Sequence, residues 1–233
     1  MSVHVLAEET GAYWFDINSR DTSSSGTCQI AVEELRNGTP ADGKRLAAQK
    51  LVGDGDSIRG LQTAQSLSSA MKSYKEALKL WQSVGDKRGE AETLDRLGIV
   101  SVELSQSGSA PQYLNEAAQL FRSLGDRRSE ALTLSDLAQA YSSSGDAQRA
   151  LDCLYEAVAL FRGVDERHGM ADTLDRIAGA RVDLGNLPRA LDYYNQAVYL
   201  RRALHDRRGE AETLNRIGLV YDALGEEQKA LEH

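Results

Sequence analysis

The sequence has few cysteines, no excess of basic residues and no long apolar run. Its two cysteines, Cys28 and Cys153, show no pairing pattern, so we expect free thiols in a reducing cytoplasm. A formal net charge of −8 argues against nucleic acid or anionic lipid as a partner, because both need clustered Lys and Arg. No apolar stretch approaches the ~20 residues of a membrane helix, and the N-terminus does not resemble a signal peptide.

The residue patterns of catalysis and of metal binding are also missing. The four histidines never form HExxH or another metal-ligand spacing, and "VGDGDS" lacks the Lys that ends a phosphate-binding loop. Cys153 shares its place in the repeat with Tyr113 and Tyr193, which favours packing over use as a nucleophile. We therefore predict no enzymatic activity, no cofactor and no metal site.

The sequence does contain a repeat of 40 residues. The stretch "DKRGEAETLDRLGIV" at residues 86–100 returns as "DRRGEAETLNRIGLV" at residues 206–220, three periods later. A fixed period of this length predicts a solenoid, in which each unit buries its apolar face by stacking on its neighbours. The columns that repeat are alanine at Ala91, Ala131, Ala171 and Ala211, and leucine at Leu94, Leu134, Leu174 and Leu214.

Each unit reads as a hairpin of two helices. Apolar and small residues recur at spacings of three and four, and Gly145, Gly185 and Gly225 follow the first helix, where a left-handed residue suits glycine. Small residues such as Gly98 and Ala110 would let the two helices approach closely. Asp86, Asp126 and Asp206 stand where they can cap the next helix.

This arrangement resembles the tetratricopeptide repeat over about residues 67–233. The small residues fall at its eighth and twentieth positions, and Tyr141 and Tyr221 lie near its eleventh position. The usual repeat has ~34 residues, so this chain adds six. The resemblance implies a right-handed solenoid of helical hairpins, with units at about 91–130, 131–170, 171–210 and a truncated 211–233.

Residues 1–38 have a different pattern. Apolar and polar residues alternate there between Gly and Ser turns, which predicts a short β segment that either packs on the first helices or is the tail of a larger β-sandwich. Residues 39–66 read as a linker and a degenerate first helix. The predicted fold class is therefore mainly α with a small N-terminal β segment.

The order of these segments resembles the N-terminal region of bacterial caspase-like CHAT proteins. The matching residues are Val32–Arg36, the helix start Thr39–Asp42 and the 40-residue blocks. In that family the repeats precede a peptidase-like domain. No such domain is present here, so the resemblance assigns no peptidase activity to this chain.

The resemblance also implies that the fifth, sixth and ninth positions of each repeat face a concave groove. The arginines at the sixth position would hold acidic side chains of a partner, or else pair with nearby carboxylates of the chain itself. The groove residues predicted in this way are Asp95, Arg96, Ile99, Asp136, Gln139, Asp175, Arg176, Asn215, Arg216 and Leu219.

The leading interpretation is a cytoplasmic scaffold, part of a larger bacterial protein, that binds a protein, a peptide or other domains of its own chain. The alternatives are the regulatory arm of a bacterial signalling ATPase or transcription regulator, and a structural or self-assembly spacer. We expect the truncated last unit to expose Leu214 and Ile217 and to favour self-association. Residues 231–233, "LEH", resemble the start of a vector-encoded tag.

Overall fold

The computed structural model describes residues 39–105 and 108–232, and these form α-helices and the turns between them without any strand. The β segment predicted for residues 1–38 lies outside the described residues. The helices are α1 (Pro40–Arg59), α2 (Ala64–Val84), α3 (Lys87–Glu103), α4 (Ala110–Ser123), α5 (Arg127–Ser143), α6 (Ala147–Gly163), α7 (Arg167–Asp183), α8 (Leu187–Ala203), α9 (Arg207–Ala223) and α10 (Glu227–Glu232).

The helices pair into consecutive hairpins. α1 packs on α2, α3 on α4, α5 on α6, α7 on α8 and α9 on α10, and each second helix also packs on the first helix of the next hairpin. From α3 onward the first helices begin 40 residues apart, so the period in the sequence is the period of the structure. The predicted helical solenoid is confirmed, and it is preceded by a hairpin whose first helix begins at Pro40.

Carboxylate and hydroxyl caps fix where the helices start. The Asp86 carboxylate accepts a bond from the Gly89 amide at 3.0 Å, and Asp206 accepts one from Gly209 at 2.9 Å. Asp126 caps α5 in the same way. At the N-terminus of α1, Thr39 and Asp42 cap each other's backbone. These bonds satisfy amides that have no partner inside the helix, as the sequence predicted for the three aspartates.

Left-handed residues separate the helices at two places in every period. Gly145, Gly185 and Gly225 have φ angles of 81°, 72° and 74°, as predicted for the turn inside the hairpin. At the joint between hairpins, Asp165 and His205 adopt the same conformation with φ of 50° and 57°. The sequence analysis did not identify these two residues, because neither is a glycine.

Small residues allow tight contact between paired helices. A Cβ atom added at Gly98 would overlap the Leu114 side chain, so α3 and α4 can approach this closely only because Gly98 has no side chain. Ala110 and Ala117 are fully buried in the same region. The core therefore runs as a continuous layer between first and second helices.

One core column changes chemistry at the last full joint. Trp81 of α2, Phe121 of α4 and Phe161 of α6 fill this column. The corresponding residue of α8 is Arg201, which is 8% exposed. Its guanidinium pairs with Asp172 at 2.9 Å and with the capping Asp206 at 3.2 Å. The arginine therefore replaces an aromatic packing contact by an ion-paired link between hairpins.

The end of the solenoid is better covered than the sequence suggested. The prediction that Ile217 would be exposed is wrong, because this side chain is 1% exposed and packs in a cluster with Tyr194 and Val198 of α8. Leu214 is half-buried. The residue that does become exposed is Ala211, whose counterparts in the earlier repeats are buried by the following helix.

Candidate functional site

The first helices of successive hairpins, α1, α3, α5, α7 and α9, lie side by side and are bonded to one another. We call their shared surface the first-helix face. In a solenoid of this kind it is the inner surface of the curve, which is where repeat proteins present extended binding surfaces. The predicted groove residues all belong to α3, α5, α7 and α9.

The fifth-position residues of α3, α5 and α7 form a ladder of hydrogen bonds between neighbouring repeats. The Thr133 hydroxyl donates to the Asp95 carboxylate at 2.7 Å, and Thr213 donates to Asp175 at 2.9 Å, each across 38 residues. Ser135 lies 3.5 Å from the hydroxyl of Thr173 in the intervening repeat. This threonine ladder orients the fifth-position side chains toward the next hairpin.

Asp175 was predicted to face a partner, and the structure corrects this. The residue is 4% exposed, and besides Thr213 it pairs with Arg216. A carboxylate so enclosed serves the joint between α7 and α9. Asn215, its counterpart in α9, is exposed.

The arginines at the sixth position are bonded within the chain. Arg96 donates from Nε to the Asp56 carboxylate at 3.0 Å, and Arg176 donates to the Ser135 carbonyl at 2.9 Å. Arg216 pairs with Asp175. Each arginine thus reaches back about one period. Of the two interpretations of these arginines, pairing inside the chain is the arrangement present in the structure.

Asp136 is the one acidic residue among the sixth-position residues of α3, α5, α7 and α9. It is half-buried and forms no hydrogen bond or ion pair with any residue in ranges 39–105 and 108–232. Its pKa is raised to about 6, mainly by burial and next by the nearby Asp95 charge, while Arg176 and Arg59 oppose the shift. The pKa of Asp95 is raised as well, mainly by burial, although the bond from Thr133 lowers it.

The ninth-position residues add apolar and amide surface to the same face. Ile99 is half-buried, Gln139 is exposed, and Leu219 is 63% exposed. Leu219 is therefore a large apolar side chain open to contact. Together with Asn215, these residues leave part of the first-helix face available after the internal pairs are made.

A pocket of about 400 Å³ opens on this face between α1 and α3. Its charges are largely paired, since Arg59 bonds the Glu103 carboxylate at 2.6 and 2.9 Å, and Tyr74 donates to Asp56 at 2.7 Å. Burial raises the pKa of the Tyr74 hydroxyl, with this bond as the next cause. The lining residues are Asp56, Arg59, Asp95, Arg96 and Ile99.

Sequence reasoning missed the part of the pocket that α1 contributes. Residues 39–66 lack the strong repeat pattern, and the sequence predicts only a linker and a degenerate first helix there. One signal was available, because Asp56 stands 40 residues before Arg96 and so occupies the sixth position of a unit one period earlier. Extending the period backward would have identified it.

Within the described residues, no group of His, Cys, Asp and Glu side chains has the arrangement of a metal site. A search of the same residues for a helix of membrane-spanning length and hydropathy finds none.

The fold and this face define a class: a solenoid of helical hairpins with a binding surface on its first helices. Within that class, residues 131–164 and 169–233 match two models of the tetratricopeptide repeat, so this part of the chain consists of tetratricopeptide repeats. Such repeats generally mediate protein–protein interaction.

Solved structures share the fold at low sequence identity. Repeats of a putative kinesin light chain from Podosopora anserina give a TM-score of 0.67 at 16% identity, over 79% of this chain and 92% of that one. Aspartyl phosphate phosphatase F from Bacillus subtilis gives 0.74 at 16% identity, over 82% and 50%. A Rap protein complexed with Competence and Sporulation Factor gives 0.66 at 19%, over 80% and 52%. No curated protein sequence matches the chain.

Proposed function

We propose that this chain is a protein-interaction scaffold that binds an extended peptide or helix of a partner on its first-helix face. The observation that carries the proposal is that some residues of this face bond the hairpins together while others are left exposed. Residues at the fifth and sixth positions make joints between hairpins, whereas the ninth position differs from repeat to repeat and is exposed at Gln139 and Leu219. Variable exposed columns on a rigid repeating frame suit a binding surface.

The pairing of charges points to a partner with basic side chains. Arg96, Arg176 and Arg216 already bond acceptors within the chain, so they offer less to an acidic ligand. Asp136 has no such partner among the described residues, and a Lys or Arg placed beside it would offset the cost of its burial. The net charge of −8 would steer a basic segment toward the chain.

Two larger contexts fit this role. The resemblance to CHAT proteins favours an adaptor or sensor region of a bacterial polypeptide, working in the cytoplasm, with other domains of the same chain as possible occupants of the face. A second candidate, the regulatory arm of a bacterial signalling protein, is favoured by the similarity to the Rap protein in complex with its factor. In both contexts the repeats bind and do not catalyse.

Fluorescence polarisation tests the proposal with labelled 12-residue peptides that are Lys-rich, Glu-rich or neutral. We expect the Lys-rich peptide to bind best, and Asp136→Asn to weaken it about tenfold by removing one charged contact. Asp192→Asn is the matched control, because it makes the same chemical change on the exposed surface of α8.

Preferential binding of the Glu-rich peptide would contradict the basic-partner chemistry. If the Lys-rich peptide bound equally well to the native chain and to Asp136→Asn, Asp136 would not be part of the binding site. If none of the peptides bound, crosslinking from a photoreactive residue at Gln139 in host cells would show whether this face is covered by a protein at all. An uncrosslinked face would favour the spacer interpretation.

A further inference from the structure

A second polar cluster lies where α6, α7 and α8 meet, and the proposed scaffold function makes no use of it. Arg181, in the last turn of α7, donates from Nη2 to the Tyr155 hydroxyl oxygen of α6 at 2.7 Å. Tyr193 of α8 donates its own hydroxyl to the same oxygen at 3.3 Å. All three side chains are half-buried. We call this group the tyrosine–arginine cluster.

The hydrogen bonds of the cluster leave donors without acceptors. The Tyr155 oxygen accepts two bonds, and its own proton has no acceptor among residues 39–105 and 108–232. The Arg181 guanidinium has no carboxylate within ion-pair distance in the same ranges, and its Nε is buried with no hydrogen-bond partner. Buried or half-buried donors normally have acceptors, so this surplus calls for one.

A neighbouring arginine shows how unusual this is. Arg149 lies over the ring of Tyr141 at 5.6 Å, much as Arg181 lies over the ring of Tyr155 at 5.9 Å. Arg149, however, pairs with the Asp146 carboxylate at 3.2 Å. The two sites share the stacking geometry and differ in the presence of a bound carboxylate.

The cluster is not part of the repeating joint between hairpins. Arg181 occupies the column that holds tyrosine in the repeats on either side, at Tyr141 and Tyr221. Tyr155 likewise stands where the repeats on either side have asparagine, at Asn115 and Asn195. Two departures from the repeat, Arg181 and Tyr155, therefore meet in one place where the stacking of the solenoid does not require them.

Two arginines act on the Tyr193 hydroxyl of the cluster. Arg181 and Arg189 both act to lower the pKa of the Tyr193 hydroxyl, and the shift is upward only because the bond it donates to Tyr155 and its burial outweigh them. The Tyr193 proton therefore stays in its bond to Tyr155. The Tyr155 hydroxyl and the guanidinium remain to donate outward.

We infer that the tyrosine–arginine cluster is an oxyanion site, which takes a carboxylate or phosphate group through the Arg181 guanidinium and the Tyr155 hydroxyl. A guanidinium beside a hydroxyl donor matches two oxygens of one anion, and such charge-assisted bonds are the strong ones. This site goes beyond the proposed peptide-binding face, because it is built from second helices and the end of α7.

Nuclear magnetic resonance of the Arg Nε–Hε groups tests the inference on the whole chain. Sodium phosphate and, separately, sodium acetate are titrated at ionic strength held constant with sodium chloride, and Arg181→Gln assigns the Arg181 signal. We expect a saturable shift of the Arg181 signal with at least one of the two anions, and no saturable shift of Arg149. Saturation by phosphate alone identifies a phosphate site, and saturation by acetate alone a carboxylate site.

Tyr155→Phe removes the hydroxyl and keeps the ring, so we expect it to weaken the anion about tenfold. Tyr113→Phe is the matched control, because Tyr113 belongs to the Tyr193 column of an earlier repeat and should leave the titration unchanged. Equal melting temperatures of the variants show that each is folded. A linear shift up to high anion concentration, or the same affinity in Tyr155→Phe and the native chain, would overturn the inference.

Discussion

A residue other than glycine with a left-handed backbone is a position where one substitution can raise the free energy of unfolding. Ser105 has a φ of 56° at the hairpin turn where the other repeats have glycine. A serine pays a steric cost in this conformation that glycine does not, although glycine adds freedom to the unfolded chain. We expect Ser105→Gly to raise the free energy of unfolding by about 0.5–1 kcal/mol in urea denaturation.

Ser144 provides the control for this change. It caps the C-terminus of α5 in the turn of the next hairpin and has a φ of −93°, so glycine would relieve no backbone strain there. Ser144→Gly should therefore be neutral or destabilising. Equal effects of the two substitutions would contradict the argument from backbone strain.

Asp136 destabilises the folded chain as the pH rises, whereas a carboxylate in an ion pair stabilises it as the pH rises. Its pKa is about 6 in the folded chain against 3.8 as the ordinary value, so the folded state holds the proton more tightly. Its contribution to stability is therefore highest in acid, falls as the pH rises from about 4 to about 6, and stays low above that. We expect Asp136→Asn to gain roughly 1–3 kcal/mol at pH 7.5 and much less at pH 4.5.

The measurement is the difference in unfolding free energy between variant and native chain at the two pH values. The native chain's other carboxylates cancel in this difference. Asp192→Asn, on the exposed surface of α8, should show no such difference. A gain from Asp136→Asn that is equal at both pH values would exclude titration of Asp136 as the cause.

Among the elements, the α3–α4 pair depends most directly on a missing side chain. Because a Cβ at Gly98 would overlap Leu114, we expect Gly98→Ala to cost about 1–3 kcal/mol in thermal or urea unfolding. Leu114→Val leaves more room at the contact. The double variant should then lose less than the sum of the two single losses. Simple additivity would show that the two residues do not share a contact.

The sequence predicted the elements that repeat and missed those that do not. The helix caps at Asp86, Asp126 and Asp206 and the glycine turns follow from local chemistry that is visible in a short window of residues. The hairpin α1–α2 was only partly recognised, because its residues diverge from the period. Its role in the pocket depends on contacts 40 residues apart, such as Asp56 with Arg96.

The candidate site was predictable by position and less so by chemistry. The period placed Arg96, Arg176 and Arg216 on one face, but it could not decide whether their partners lie inside or outside the chain. That decision depends on distances of a few ångströms between neighbouring hairpins. Asp175 was misjudged for the same reason, since its burial comes from α9, one repeat away.

At the scale of the whole molecule, stability should decline toward the last hairpin. A solenoid is held by contacts between neighbours, and within residues 39–105 and 108–232 α9 contacts a neighbouring hairpin on one side only, with Ala211 exposed and Leu214 half-buried. We expect amide hydrogen exchange in α9 and α10 to be fastest and in α5 and α6 to be slowest. Equal protection of all hairpins would indicate one cooperative unit.

Each of the sixth-position arginines bonds an acceptor about one period earlier, so the pairing depends on which unit precedes which. Arg96, Arg176 and Arg216 each need an acceptor in the unit before them, supplied by Asp56, Ser135 and Asp175. If the 40 residues 136–175 were removed, Arg176 would follow Asp95 at the spacing that now separates it from Ser135. Asp95 would then be its acceptor, and this is a carboxylate, as Asp175 is for Arg216 in the native chain. Arg216 loses Asp175 in this cut but comes to stand behind the Ser135 carbonyl, so the chain could be shortened by one whole unit with every arginine still matched. A cut that is not a whole number of units would break the pairing.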